Sequence, residues 1–386
     1  MLIFNISPLF SILPTFKTVD GGLKISDKKS AIDAKLVKRR IKNIVKYCAV
    51  TLNVIIALAM VVTAYCGMLP PQEYPKLSVL PLLFPYFLAA SLLFLMAWLF
   101  IKWKMAFISL AAMILCATDI RGYFPINIPS DAPQSAFKIM SYNIGGVTKQ
   151  KKDSLIEFML ENAPDIICFQ ECGKSLDLPN DERVAKAYPY NNINGKEGRN
   201  VCLSKFPILS SENIKYESHG NASTAHRILI GYDTLLVINN HLQSYLLAKT
   251  DIQEYKDITG KSTSMSDREK NTKDVVKKIM IGNKQRGPQA EIVFDYIRKN
   301  HHRLTIACGD FNENTTGYAH YLFTKELNDA YTRTANGFGF TYSRNKIHYR
   351  IDHILCSDAF KPYDCHVVNS CNLSDHFPII CYLDKQ

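Results

Sequence analysis

The sequence RLTIACGDFNEN, residues 303–314, combines a strand-like run with a polar turn. It starts with an apolar run long enough for one buried strand and ends in a polar cluster that favours a turn. Asp310 and Asn312, in that turn, carry oxygen atoms of the kind that bind a hard cation or hold a water molecule. A buried strand that ends in such residues is typical of α/β and α+β domains, in which strand ends carry the functional site.

Similar runs recur on both sides of this stretch. The other strand-like runs are FKIMSYN (137–143), DIICFQE (165–171), RILIGY (227–232), TLLVINN (234–240), RIDHIL (350–355) and FPIICYL (377–383). Apolar periodicity predicts helices over residues 152–162 and within residues 273–300. Residues 136–386 therefore predict one α/β or α+β domain.

Polar residues end or precede most of these runs. They are Asn143, Glu171, Asn240, His241, Asp375 and His376, in addition to Asp310 and Asn312. Taken singly, each is better explained as a turn residue, a solvated strand end or a cap. Because strands of one sheet bring their ends to a common rim, the set as a whole indicates a site.

In order and spacing, these residues resemble the motifs of the endonuclease/exonuclease/phosphatase superfamily, which has the fold of pancreatic deoxyribonuclease. The motifs are SYNIGG (141–146), FQEC (169–172), VCLSKFPI (201–208), NNHLQS (239–244), GDFNEN (309–314), YRIDHIL (349–355) and SDHFPI (374–379). The resemblance covers residues 136–386. It implies an α/β (α+β) four-layer sandwich, in which helices flank two β-sheets, and a metal-dependent hydrolase that cleaves phosphate esters.

The resemblance also implies a Mg²⁺ site, with Mn²⁺ as the alternative cation. Glu171 is the first expected ligand, and Asn143 and Asp375 are expected beside the same ion. Mg²⁺ takes oxygen ligands and keeps several waters, so one or two carboxylates and an amide suffice.

Five residues are expected to be catalytic in this resemblance. Asp310 would orient or deprotonate the attacking water, and Asn312 would hold that water or a phosphoryl oxygen. His376 would contact the scissile phosphate, while Asp352 would fix the tautomer of His376 and raise its pKa. His241 would position the phosphate or the metal-binding carboxylate. The sequence leaves open whether Asp310 or His376 is the general base.

Residues expected to bind substrate lie near and beyond the NNHLQS motif. Asn240 is one of them. Residues 246–287 form a long, locally basic insertion that contains Lys273, Lys277 and Lys278. The plainer interpretation is a solvated insertion with a helix; the alternative is a lid whose lysines contact substrate phosphates.

The charge is unevenly distributed along the chain. The chain has 46 Lys and Arg against 35 Asp and Glu, for a net charge of +11. Residues 1–47 carry ten basic and three acidic residues, whereas residues 136–386 carry 32 and 29. The domain itself is therefore close to neutral, and its net charge does not identify nucleic acid as the substrate.

Before the domain, two uncharged runs predict transmembrane helices. Residues 47–66 and 77–101 are each long enough to cross the hydrocarbon core. A third segment, residues 103–120, is either a shorter span or an interfacial helix, and its length of about 27 Å as a helix favours a span. A polar linker over residues 121–135 follows.

Lysine and arginine bias predicts the topology. Residues 1–43 form a basic segment expected in the cytoplasm, together with the KWK turn at residues 102–104. Three spans would place the domain outside the cytoplasm, on the periplasmic side of a bacterial inner membrane, and two spans would place it inside. The lipid bilayer is the expected partner, and no protein partner is predicted.

Three functional classes remain open from sequence. A nuclease or related phosphodiesterase or phosphomonoesterase ranks first, and a sphingomyelinase-like phospholipid-headgroup phosphodiesterase ranks second because a tethered enzyme shares the plane of its lipid. The substrate is accordingly a phosphate ester of nucleic acid or of a lipid headgroup. A catalytically inactive binding module ranks last because Glu171, Asp310 and His376 are all present.

Overall fold

The computed structural model describes residues 23–192, 200–218, 220–245, 265–300, 302–344 and 347–386. Residues 1–22 of the expected cytoplasmic segment and residues 246–264 of the expected insertion lie outside the described residues. The chain divides into two compact units, residues 1–54 and residues 55–386. The second unit contains all of the motifs quoted above.

Among the described residues, four α-helices precede the first strand. They are α1 (Leu23–Tyr65), α2 (Phe84–Ile101), α3 (Ala106–Leu115) and α4 (Ala117–Tyr123). By length and composition, Lys35–Met68 and Leu77–Ile101 are apolar enough to cross a membrane. The start of the second segment, Leu77–Leu83, is a 3-10 helix that contains Pro81. Proline lacks the amide hydrogen that an α-helix interior requires, so α2 begins only after this turn.

The third candidate span, expected over residues 103–120, is a bent pair of helices, and its crossing of a membrane stays a prediction. Trp103–Leu115 and Ala117–Tyr123 meet at an angle of 72°. The ten residues of α3 cover about 15 Å, which is about half of the hydrocarbon core. A third crossing would therefore be a broken helix, with its bend at Cys116.

Strands and further helices alternate from residue 137 onward. In chain order the strands are β1 (Phe137–Asn143), β2 (Ile166–Gln170), β3 (Tyr190–Asn191), β4 (Val201–Ser204), β5 (Ile208–Ile214), β6 (Ala222–Ile230), β7 (Asp233–His241), β8 (Thr305–Asp310), β9 (Asn328–Asp329), β10 (Tyr342–Arg344), β11 (Ile347–Tyr349), β12 (Asp352–Cys356), β13 (Phe360–Val367) and β14 (Ile379–Lys385). The helices are α5 (Lys152–Asn162), α6 (Glu182–Ala187), α7 (Met265–Asn300), α8 (Tyr318–Phe323) and α9 (Ala330–Thr334). The helices expected over residues 152–162 and within 273–300 are thereby confirmed.

Twelve of these strands form two mixed sheets, ordered β13-β14-β1-β2-β4-β3 and β5-β6-β7-β8-β12-β9, and β10 and β11 form a separate hairpin. Apolar side chains fill the space between the two sheets, among them Ile139, Val237 and Ile306. The outer face of the first sheet packs on α5, and that of the second packs on α7 and α8. This arrangement confirms the four-layer sandwich and brings one end of each sheet together.

Candidate active site

The inward faces of the two sheets supply the central carboxylates and amide. On β8, Ile306 and Cys308 point into the core between the sheets, so the strand period of two carries Asp310 to the same side at the rim. The same alternation carries Asn143 inward at the end of β1 and Asp352 inward at the start of β12. Three strands thus deliver three polar side chains to one rim of the sandwich.

Glu171 reaches this rim by a different route. It follows directly after β2, where Gln170 is the inward residue and strand alternation would turn the next side chain outward. Its backbone has a φ of 53°, in the left-handed region, which interrupts the alternation. Such backbone strain in a residue other than glycine is concentrated at functional sites.

At the rim, Asn143 lies between two carboxylates. Its Nδ2 is 2.9 Å from Asp310 Oδ2 and 3.4 Å from Glu171 Oε1. Its Oδ1 accepts a hydrogen bond of 2.9 Å from the amide of Gly145. On the far side of Glu171, His241 Nε2 is 3.3 Å from the same Oε1 atom. The amide therefore orients both acids.

A second chain of contacts runs from Asp310 to Asp352 through His376. His376 Nδ1 is 2.9 Å from Asp352 Oδ2, and Nε2 is 3.7 Å from Asp310 Oδ2. The ring of Tyr342 packs edge-on against the imidazole at 5.0 Å. Asp352 is fully buried, and its hydrogen bond with Nδ1 orients the ring.

Asn312 holds the turn after Asp310. Its backbone amide donates to Asp310 Oδ1 at 2.7 Å, and its Nδ2 donates to the Leu242 carbonyl at 2.9 Å. Its φ of 52° is also in the left-handed region. The carboxylate of Asp310 is consequently fixed by its own loop and by Asn143.

The pKa values of three groups at the centre differ in direction. A hydrogen bond from His241 lowers the pKa of Glu171 to about 2, although burial acts the other way. Burial, with the charge of Asp352, raises the pKa of Asp310 to about 6. Burial alone would lower the pKa of His376, but Asp352 and Asp310 more than offset it and raise it to about 10. At neutral pH, Glu171 and Asp310 are therefore ionised and His376 is an imidazolium.

The other expected site residues are placed as follows. Asp375 precedes His376, and its carbonyl accepts a hydrogen bond of 3.1 Å from the Ser343 amide. Its Oδ1 lies 3.4 Å from the Ser374 hydroxyl. The expected lysines lie on the first half of α7: Lys273, Lys277 and Lys278. Their contribution to substrate binding, like the metal role of Asp375, stays a prediction.

Asn240 is not brought to the centre, and its expected contact with substrate is corrected here. It points to the outer face of β7, is fully buried, and accepts a hydrogen bond of 2.8 Å from Ser223. Its Nδ2 lies 3.2 Å from the Cys308 carbonyl. The reason is the strand period: Asn239 and His241 share the inward face, and the residue between them does not.

Several residues of the site escaped the sequence prediction. Asn239 accepts a hydrogen bond of 2.8 Å from Gln170 and donates one of 3.0 Å to the Phe169 carbonyl, so it supports the end of β2 from below. Thr341 Oγ1 accepts from the amide of Asp352 at 3.0 Å. The period of two from His241 signals Asn239, whereas no local pattern signals Thr341.

Two clusters in the described part of the chain group three metal-capable side chains. One is Asp310, Asp352 and His376, described above. The other is His320, Asp329 and His353, where Arg350 Nη1 lies 3.0 Å from Asp329 Oδ2. Because the Arg350 guanidinium already neutralises the Asp329 carboxylate, this second cluster is better explained as a structural ion pair than as a cation site.

The rim of the four-layer sandwich thus brings together the carboxylates of Glu171, Asp310 and Asp352, the His376 imidazolium and the Asn143 amide. Residues 140–376 match the model of the Endonuclease/Exonuclease/phosphatase family, which is more than half of the chain. The chain belongs to this family, whose enzymes hydrolyse phosphate esters and generally depend on a divalent metal. The resemblance inferred from the motifs is confirmed. Residues 44–123 match a separate model, described as a domain of unknown function.

Individual relatives are distant. A DNA-(apurinic or apyrimidinic site) endonuclease from Dictyostelium discoideum is 24% identical over 113 residues, which are 28% of this chain and about a third (31%) of that protein. An endonuclease/exonuclease/phosphatase from Bacteroides vulgatus has 15% identity and a TM-score of 0.45, covering 66% of this chain and 100% of its own. Sphingomyelinase C from Streptomyces griseocarneus has 13% identity and a TM-score of 0.42, covering 65% and 99%.

Proposed function

We propose that this protein is a membrane-anchored, Mg²⁺-dependent phosphodiesterase in which a water molecule attacks the phosphorus atom. One observation carries the proposal. The Asp310 carboxylate lies between the Asn143 amide, at 2.9 Å, and the His376 imidazole, at 3.7 Å, with Glu171 on the far side of that amide. Asp310 can therefore activate a water molecule beside His376, which can bind the phosphate. Glu171, which can bind a cation, is adjacent to both.

The residues around Glu171 fit a hard cation. The Glu171 side chain is 41% exposed, and its low pKa keeps it ionised at neutral pH. Next to it, a Cβ at Gly145 would come within 2.7 Å of Glu171 Oε2, so only glycine leaves that oxygen uncrowded. We infer that Glu171 holds Mg²⁺ and that Asn143 and Asp375 lie close to it. When bound, the ion would neutralise phosphoryl charge and stabilise the leaving oxygen.

The pKa values favour Asp310 over His376 as the general base. An imidazole with a pKa of about 10 is protonated at neutral pH and has no lone pair for a proton from water. Asp310, with a pKa of about 6, is ionised there and basic enough to accept that proton. His376 is left to donate a hydrogen bond from Nε2 to a phosphoryl oxygen, with Asp352 compensating its charge.

The membrane segment, residues 55–123, packs against this domain, and two of its contacts bear on the topology. The backbone of Gly67, after α1, lies so close to Thr316 that a Cβ would come within 1.8 Å of its carbonyl oxygen. The carbonyl of Gly122, in α4, accepts a hydrogen bond from the Arg350 guanidinium. The loop before α2 and helix α4 therefore lie on the same side of the bilayer as the domain.

These contacts support three crossings with a broken third helix. Lys102 and Lys104 lie at the other end of α2, where the positive-inside rule favours the cytoplasm. The domain would then lie outside the cytoplasm, on the periplasmic side of a bacterial inner membrane. Alkaline phosphatase fused after Gln386 tests this topology, and we expect the fused phosphatase to be active. A fusion active only with a cytoplasmic reporter would contradict this topology.

Two substrate classes follow for the phosphodiester. Nucleic acid remains the first candidate. A phospholipid headgroup is the second, and the packing of the membrane segment against the domain favours it, because such packing limits the distance between the centre and the bilayer.

The test uses the full chain in nonionic detergent with Mg²⁺. Substrates are supercoiled plasmid, bis(p-nitrophenyl) phosphate, p-nitrophenyl phosphate, and vesicles of phosphatidylcholine with sphingomyelin. EDTA and His376→Ala are the inactivating controls, and His366→Ala, on β13, is the matched control. We expect diester hydrolysis that is lost with EDTA and with His376→Ala. Monoester hydrolysis alone, or turnover that survives EDTA, would contradict the proposal, and plasmid against vesicle turnover decides the substrate class.

A further inference from the structure

The membrane loop, defined as residues 66–83, is bonded to the domain beside the catalytic centre. Asn283, in α7, donates from Nδ2 to the Ser78 carbonyl at 2.9 Å and to the Ser78 hydroxyl at 3.0 Å. Thr316 donates from its hydroxyl to the Pro81 carbonyl at 3.3 Å. All three bonds are partly or fully buried, so water does not readily replace them.

Arg286, one helical turn after Asn283, carries these contacts inward. It is 1% exposed. It donates to the Gln243 carbonyl at 2.5 Å and to Asn283 Oδ1, and lies 3.6 Å from the Glu313 carboxylate. The ring of Tyr245 covers the guanidinium at 4.7 Å. A rigid guanidinium fork thus joins α7 to the loops after β7 and β8.

Both loops continue directly into catalytic residues. Gln243 is two positions after His241. Between them, Leu242 donates from its amide to the Asp310 carbonyl at 3.0 Å, and its own carbonyl accepts from the Asn312 side chain at 2.9 Å. A displacement of the Gln243 carbonyl would therefore move His241 and Asn312 together.

We propose that Asn283 and Arg286 are positioning residues through which the membrane loop holds the catalytic loops in place. Neither residue reaches the reacting atoms. Asn312 has a left-handed backbone, a conformation that persists only when its surroundings hold it. The membrane segment is accordingly part of the active-site scaffold as well as an anchor.

The test compares single variants of the full chain in detergent. Asn283→Ala removes both Asn283 bonds to Ser78 and leaves the bond from Thr316 to Pro81. Ser78→Ala removes only the bond to the Ser78 hydroxyl and takes the place of Asn283→Ala if that variant does not fold. Arg286→Lys keeps the charge but loses the fork. Lys284→Ala, on the exposed side of the same helix, is the matched control.

The first measurement is hydrogen–deuterium exchange, which needs no turnover. Amides of residues 242–245 and 311–317 are expected to exchange about tenfold faster in Asn283→Ala, consistent with the loss of a buried hydrogen bond. The amides of β1 should not change, and Lys284→Ala should match the wild type. Unchanged exchange in both catalytic loops of a folded Asn283→Ala variant would overturn the proposal.

The second measurement is kinetic and rests on the proposed function. With bis(p-nitrophenyl) phosphate and Mg²⁺, kcat is expected to fall roughly 10- to 100-fold in Asn283→Ala and Arg286→Lys. KM should stay within about twofold, because binding contacts are retained. Equal kcat with raised KM would overturn a positioning role. If the wild type turns over nothing, the proposed function fails, and exchange alone still decides the coupling.

Discussion

Substituting Asp352 by asparagine tests the electrostatic account of the centre. The side chains have the same shape, so the change removes one charge and leaves the packing. Asp352 Oδ2 is 2.9 Å from His376 Nδ1, and its Oδ1 has no hydrogen-bond partner among the described residues. The carboxylate is therefore committed mainly to the imidazole, and its charge should act chiefly there.

The magnitude follows from the pKa of His376. Burial favours the neutral ring, and Asp352 with Asp310 overcomes burial to raise the pKa from 6.5 to about 10. That rise corresponds to roughly 5 kcal/mol in favour of the imidazolium. Without Asp352, the buried ring should lose its proton at or below neutral pH. At pH 8 it would then be uncharged and hold the developing phosphoryl charge less well.

The assay is kcat for bis(p-nitrophenyl) phosphate with Mg²⁺ between pH 5.5 and 10. We expect the wild type to lose activity only near pH 10, and Asp352→Asn to lose it from about neutral pH, with kcat at pH 8 reduced roughly 100-fold or more. Asp358→Asn, an exposed residue just beyond the same strand, is the matched control. If Asp352→Asn keeps the wild-type alkaline limb and the wild-type kcat at pH 8, the charge of Asp352 does not keep His376 protonated.

Three further outcomes are expected. In Asp310→Asn, kcat should fall about 100- to 10,000-fold and the acidic limb near pH 6 should disappear, because that limb is the protonation of this carboxylate as pH falls below its pKa; the pH–rate profile is the measurement. In Glu171→Gln, the Mg²⁺ concentration for half-maximal rate should rise roughly tenfold or more, because a charged ligand is lost; a Mg²⁺ titration measures it. In Arg350→Met, the buried Asp329 loses its guanidinium partner and keeps His320 at 2.9 Å, so the free energy of unfolding should fall by about 3 kcal/mol, measured as a lower Tm.

Each of these has a specific contrary result. A persistent acidic limb in Asp310→Asn would assign that titration to another group. An unchanged Mg²⁺ requirement in Glu171→Gln would remove this carboxylate from the metal site. If Arg350→Met keeps the wild-type Tm, the Asp329 carboxylate is not held by charge; the double variant with Asp329→Leu should recover most of the loss.

The resemblance of the strand-end motifs to a known family implied the sandwich and the residues of the centre, whereas the residues alone predicted an α/β or α+β domain with polar strand ends on one rim. Asn143, Asp310 and Asp352 follow from an inward period of two that the sequence displays. The prediction that Asn240 contacts substrate was wrong for the same physical reason, because neighbouring residues of a strand point to opposite faces of the sheet. Glu171 is recognised from its motif, but its left-handed φ, which turns the carboxylate inward, has no signature in sequence.

Long-range contacts were beyond sequence reasoning. The fork of Arg286 joins segments more than 40 residues apart, and the bond between Asn283 and Ser78 spans 205 residues. Nothing in the spacing of either residue indicates its partner. The bend at Cys116 also escaped prediction, because uniform apolar composition does not mark where a helix breaks.

Cation binding at Glu171 can be observed directly by crystallography. Crystals of the full chain soaked with Mn²⁺ would be measured for anomalous scattering. We expect an anomalous peak at coordination distance, about 2.2 Å, from a Glu171 carboxylate oxygen, beside Asn143. A well-ordered Glu171 with no peak, or a peak only among His320, Asp329 and His353, would contradict it.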